Sequence, residues 1–332
     1  MRSRGWAAIL PVFALLIVFS ACIPAFPAAE GRFQRTLTVT GPVDLDVSTG
    51  SGSIVVRSGG SATVEISGLI RANDDRENNA QDKVRYLEAT PPIEQSGNTI
   101  RIGRISDPAF RKNVSISYEI FVPAETRVRS ETGSGSQKVE GVRGPVAAHT
   151  GSGSIAMLEI GSDVIAQTGS GSIGLDHVAG RVDAHTGSGS IRATDISGPI
   201  KAETGSGGIT LSLAAAERGG DGLDVEASAG SGSIEVSGVN GSLRASTGSG
   251  GIRAGGVPAG DWKLHTSSGS VTLQLDANAS FDIDARTSSG SISTSHPITI
   301  TGAASKRELH GRVRNGGHLI EASTSSGSIA IR

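Results

Sequence analysis

Asp183, Lys201 and Glu203 are the nearest this chain comes to a catalytic group. Asp183 precedes Lys201 by eighteen residues, and Glu203 lies two further on. Enzymes built as pectin-lyase-like β-helices hold clustered acidic and basic residues on one sheet face across adjacent coils. No stack of carboxylates at eighteen-residue spacing accompanies them, so a surface ion pair is the better reading. Asp282 and Asp284 face outward on one strand, about 7 Å apart by strand geometry, and read as a solvated face. His149 and His185 share a slot two repeats apart, about 9.6 Å at the usual strand spacing, too far to bind one metal, and His177 belongs to a different turn. The calcium repeat Gly-Gly-x-Gly-x-Asp needs an aspartate in every turn, which Thr-Gly-Ser-Gly-Ser lacks. Its serines are near-identical copies with no paired His and Asp, so none is a nucleophile. No catalytic, cofactor or metal residue is assigned on these grounds.

What must position any such residue is the repeat. Thr-Gly-Ser-Gly-Ser recurs from Thr132, Thr150, Thr168 and Thr186, with Thr204-Gly-Ser-Gly-Gly next, always eighteen residues on. A unit that short cannot bury its own apolar face and must stack on its neighbours, which makes a solenoid. Within a coil, Val146, Ala148 and Thr150 share one parity and face inward, while Ala147 and His149 face out. Parity slips by one across Gly-Ser-Gly-Ser, as at a corner, and Ile155 and Met157 resume the inward face. An inward Ile or Val contributes about 1.5–3 kcal/mol when fully buried.

Equivalent strands stacked in one direction wind as an all-β parallel β-helix of about eighteen residues per coil. Its expected hand is right, the rule for parallel crossovers. The left-handed hexapeptide helix is disfavoured because the apolar slots do not recur every six residues. The variable outward pairs, among them Asp183/His185 and Lys201/Glu203, share no chemistry beyond polarity. Ser152, Ser170, Ser188, Ser206 and Ser249 stack along one corner as a hydroxyl ridge that could meet a polysaccharide or ice. The plainer reading is that Gly and Ser serve the corner's backbone. The inward Thr before each corner is expected to bond that backbone rather than a ligand.

The array is expected over 131–332, with variants at Ala229, Thr247, Thr266, Thr287 and Thr324. From Thr287 to Thr324 is two repeats plus one residue, so a degenerate coil is expected near Ser305. Residues 214–222 read as a loop pushed out of one coil. Residues 34–130 read as an irregular N-terminal part of the same solenoid that helps cover an edge, a separate small domain being the alternative. It contains a copy at Thr49 and alternating runs at 99–102 and 114–122. One short helix is marked by Ala80, Val84 and Leu87 and ended by Pro91-Pro92.

Forty-seven glycines, 3% aromatic residues and a net charge of −2 give no basic patch for nucleic acid and few rings for stacking sugars. A charged start followed by apolar Trp6 to Ala21 reads as a signal peptide over 1–21. Phe19-Ser-Ala-Cys22 resembles a bacterial lipobox, which would lipidate Cys22 and leave 22–33 as a tether. The expected location is then the bacterial cell envelope, lipid-anchored or otherwise periplasmic or secreted.

The segment 114–123, the repeats at Thr132 and Thr150, Val139-Glu-Gly-Val-Arg-Gly144, and the ending 311–317 with Thr324-Ser-Ser-Gly-Ser-Ile329 resemble the bacterial putative-adhesin family of β-strand-repeat domains of unknown function. The resemblance spans most of 35–332. It implies a β-solenoid exposed on the envelope with no established catalytic residue. That family often carries Asp after the second Gly, where this chain has Ser154, Ser172 and Ser190, so no role for such an Asp is carried over. The expected function is a non-enzymatic adhesion or scaffold surface, with a polysaccharide or another envelope protein as partner and the membrane reached through the lipid anchor. The rivals are a polysaccharide lyase or hydrolase, and an envelope-stress or signalling module that binds a protein partner through 214–222.

Overall fold

The computed structural model describes residues 29–74, 79–214 and 222–332. The signal segment 1–21, Cys22 and most of the 214–222 loop lie outside the described residues. The chain is all-β, with 28 strands and a single α-helix, Ala80–Ala89, among those residues.

Each coil supplies one strand to each of two sheets. Val146–Thr150 lies in the first sheet, the Gly-Ser-Gly-Ser corner follows, and Ile155–Ile160 lies in the second. Strands of successive coils pair in parallel with like opposite like: Val146 on Val164 on Val182, and Ile155 on Ile173 on Ile191. The inward positions form the core between the sheets, with Ala148, Ala166, Ala184 and Ala202 as a narrow column and Ile155, Ile173, Ile191 and Ile209 as a wide one. The parity read from the sequence is the parity observed.

The threonine column behaves as its inward position requires. The threonines at 132, 150, 168, 186, 204, 247, 266, 287 and 324 are all buried. Thr168, Thr186 and Thr204 donate through Oγ1 at 2.8 Å to the second-glycine carbonyl of the neighbouring coil, those of Gly153, Gly171 and Gly189. The hydroxyl thereby satisfies a corner carbonyl. Ala229 occupies this slot in register between Thr204 and Thr247, and so leaves the Gly207 carbonyl without the donor its equivalents have. Ala229→Thr should therefore stabilise the protein by about 0.5–1.5 kcal/mol, read as a raised thermal midpoint; a lowered one would show that the slot cannot hold the extra atoms.

The corner glycines answer to stacking more than to turning. A Cβ on Gly153, Gly171 or Gly189 would stand 2.0 Å from the carbonyl oxygen of the equivalent glycine one coil before. The corners are in backbone contact, and no side chain fits between them.

Both ends are built out of sequence order. The early strand Asp44–Thr49 pairs on one side with Arg127–Thr132 and on the other with Thr99–Ile102, which puts the Thr49 repeat directly against Thr132. At the other end Leu319–Ser326 slips between Trp262–Ser268 and Phe281–Ser289, with Thr324 level with both Thr266 and Thr287. The expected degenerate coil near Ser305 is thus not there. Ile298–Ala304 and Glu308–Val313 instead form an antiparallel pair laid against Phe281–Ser289. A last coil clamped between two others has no free edge of its own.

At the N-terminal end the cover is the antiparallel set Ala29–Thr38, Thr63–Ala72 and Val114–Val122, with the helix packed on its first two strands. Ala80, Val84 and Leu87 point into the core, and Asn79 caps the helix by accepting from the Asp82 amide. The first strand begins at Ala29, so 29–33 lies inside the fold and not in the tether read from the sequence. Phe33 is buried because Gly68 leaves room for its ring, which a Cβ there would strike at 2.2 Å.

Candidate functional site

The outward face of the first sheet is the most organised surface of the molecule. Register places one column through Asp183, Lys201, Glu226, Arg244 and Lys263, and a second through His149, Gln167, His185, Glu203 and Ser228. Their alternation with buried residues is the two-residue period of a strand with one face in water. Beside them runs the corner.

The five serines singled out from the sequence, Ser152, Ser170, Ser188, Ser206 and Ser249, are all exposed at that corner. The register joins Ser188 to Ser206, then carries the same line through Ser231, Ser249, Ser268, Ser326 and Ser289. Ser231, Ser268, Ser289 and Ser326 were missed because their motifs read Ala-Gly-Ser or Thr-Ser-Ser; the serine two places after the Thr slot was the signal. A shallow groove beside the ridge is lined by Glu131, His149, Gln167 and His185. The two histidines remain on separate coils with Gln167 between them.

Lys201 and Glu203 of the candidate catalytic set pair with each other. Lys201 Nζ lies 2.9 Å from Glu203, and His185 Nδ1 lies 3.5 Å from the other oxygen of the same carboxylate. The hydrogen bond from Lys201 holds Glu203 below its ordinary carboxylate value, and the same bond raises Lys201. A carboxylate so held has no proton to give near neutrality, which is what a general acid must do. Asp183 stands level with Lys201 on the preceding coil. Asp282 and Asp284 are engaged too, Asp282 with Arg312 at 3.0 Å and Asp284 with Arg286 at 3.2 Å and His310 at 3.3 Å. His310 and Arg312 thereby tie the terminal antiparallel pair to the Phe281–Ser289 strand; exposed pairs of this kind contribute little each.

Among curated proteins none matches the chain. Three solved structures show similarity over 91% of it. One, described as a putative cell adhesion protein from Clostridium sporogenes, is 9% identical, with 99% of its own chain covered and a TM-score of 0.21. Another, a putative lipid binding protein from Parabacteroides distasonis, is 13% identical, with 97% covered and a TM-score of 0.40. The third, a putative adhesin from Bacteroides fragilis, is 11% identical, with 97% covered and a TM-score of 0.28. The family model that matches is described as Toastrack DUF4097, over residues 223–332. That stretch holds the motifs at 311–317 and 324–329, two of those that carry the resemblance to the putative-adhesin family, and over it the chain is similar to the Toastrack DUF4097 family.

Proposed function

We propose that the protein is a non-enzymatic adhesion or scaffold surface of the bacterial envelope, with the first sheet's outward face and the serine ridge as its contact surface. The observation that carries this reading is the continuous register of that face: the same slots recur coil after coil. A repeating partner such as a polysaccharide meets such a surface many times over, and many weak contacts sum to retention. The proposal includes export and an anchor at Cys22.

Co-sedimentation of the purified protein with isolated envelopes and a panel of polysaccharides, with the supernatants assayed for released sugar, tests the reading. Saturable binding without release is expected. Sugar release that is lost in Glu203→Gln would overturn it in favour of an enzyme. In cells expressing the full chain, Cys22→Ser should move the protein from the membrane to the soluble fraction. An unchanged membrane fraction would remove the anchor from the proposal.

A further inference from the structure

At the far end of the second-sheet strands from the serine corner, the chain leaves the strand through a single residue in the left-handed region. That residue is Glu159 at φ 56°, His177 at φ 54° and Asp195 at φ 53° in three successive coils. The ladder skips each of them, pairing Leu158 with Asp176 and Ile160 with Val178, then Asp176 with Thr194 and Val178 with Ile196. In the coil before them the positive-φ residue is Gly141 at 73°; the coil after, Ile209–Leu213, has no residue in this slot, and in the next one it is Gly238 at 76°. Glycine takes this conformation freely, whereas a residue with a side chain is strained in it. Three consecutive coils bear that strain, and all three place a metal-ligating side chain there.

Two of these side chains and one neighbour converge. His177 Nδ1 lies 3.0 Å from Asp176 Oδ1, and His177 Nε2 lies 3.3 Å from Asp195 Oδ2. One ligand atom from each of Asp176, His177 and Asp195 can be chosen so that all lie within 4.8 Å of one another. All three side chains are open to water. We propose that Asp176, His177 and Asp195 form a surface site for a transition-metal dication of the zinc class. Nε2 of His177 and the Asp195 carboxylate are the ligands, and water completes the shell. Asp176 accepts a hydrogen bond from Nδ1–H, which fixes the tautomer that leaves the Nε2 lone pair free for the metal. An imidazole nitrogen beside a carboxylate suits Zn²⁺ and its neighbours, whereas Ca²⁺ and Mg²⁺ prefer all-oxygen shells. The site is independent of the adhesion surface and stands or falls apart from it.

The test is calorimetric titration of the purified protein with Zn²⁺, paired with thermal melts with and without the metal. One saturable site is expected, weakened at least about tenfold in Asp195→Asn, where asparagine still tolerates the left-handed backbone. His177→Gly separates backbone from ligand. It should raise the metal-free midpoint, because the strain is relieved, while abolishing the Zn²⁺-induced rise. His149→Ala, a histidine outside the cluster, should leave the titration unchanged. No saturable binding, binding retained in His177→Gly, or a site that takes Ca²⁺ in preference to Zn²⁺ would each overturn the proposal.

Discussion

Ile191→Asp should abolish the cooperative thermal transition of the purified protein, while Ser188→Ala three residues away should leave stability within about 0.5 kcal/mol of the parent. Ile191 is 1% exposed and stacks in register between Ile173 and Ile209. Replacing it removes about 1.5–3 kcal/mol of apolar burial and leaves a carboxylate in a core with no partner to receive it. The combined loss exceeds about 4 kcal/mol, a large share of the 5–15 kcal/mol that holds a typical domain together. In a solenoid that loss falls on both interfaces of the affected coil. Ser188 faces water at the corner, so its hydroxyl has no core to leave. Circular dichroism melts and limited proteolysis of both variants read the contrast directly. Equal effects would mean that the inward and outward slots are assigned the wrong way round.

Much of this fold is written in the spacing of a few residue types. The threonine interval gives the coil, the parity of Val146, Ala148 and Thr150 gives the inward face, and Ala80, Val84 and Leu87 give the helix. The order of coils at the two ends is not legible in the same way. A motif such as Thr324-Ser-Ser-Gly-Ser specifies the shape of a coil, but every coil presents the same edge, so the motif does not say which neighbours it will lie between. Only the contacts of the whole end decide that, among them the Phe281–Ser289 strand covered by Glu308–Val313.

The candidate site divides along the same line. The serine ridge follows from the repetition of the corner motif, and five of its members are legible in the sequence. That Lys201 pairs with Glu203, which His185 also approaches, follows from short-range side-chain geometry that spacing alone does not give. The left-handed column had a signal, since buried positions step by two from Ile155 to Met157 and then by three to Ile160. Its residue types concealed it, because none of the three is glycine and Glu159 is not a residue expected at positive φ.

Gly171→Ala should cost about 2–4 kcal/mol, although it adds one methyl group at a half-exposed position, whereas Gly174→Ala three residues on should be neutral or stabilising. At Gly171 the new Cβ would stand 2.0 Å from the Gly153 carbonyl oxygen and 2.5 Å from its carbon, both backbone atoms of the coil below. That oxygen also accepts from Thr168 Oγ1 at 2.8 Å, so coils forced apart there lose the threonine's hydrogen bond as well as their packing. Because the corners stack without a gap from Gly135 through Gly189, one coil cannot open without tilting the next, and relaxation is shared poorly. At Gly174, in the strand Ile173–Val178, a Cβ would meet nothing within 4 Å, and the added side chain lowers the entropy of the unfolded chain. The midpoints of the two variants, measured in one melt series, decide why the corner holds glycine. A large loss at Gly171 alone means that close stacking of coils demands it. Similar small changes at both would mean that the corner column has room to spread and that stacking does not demand glycine there.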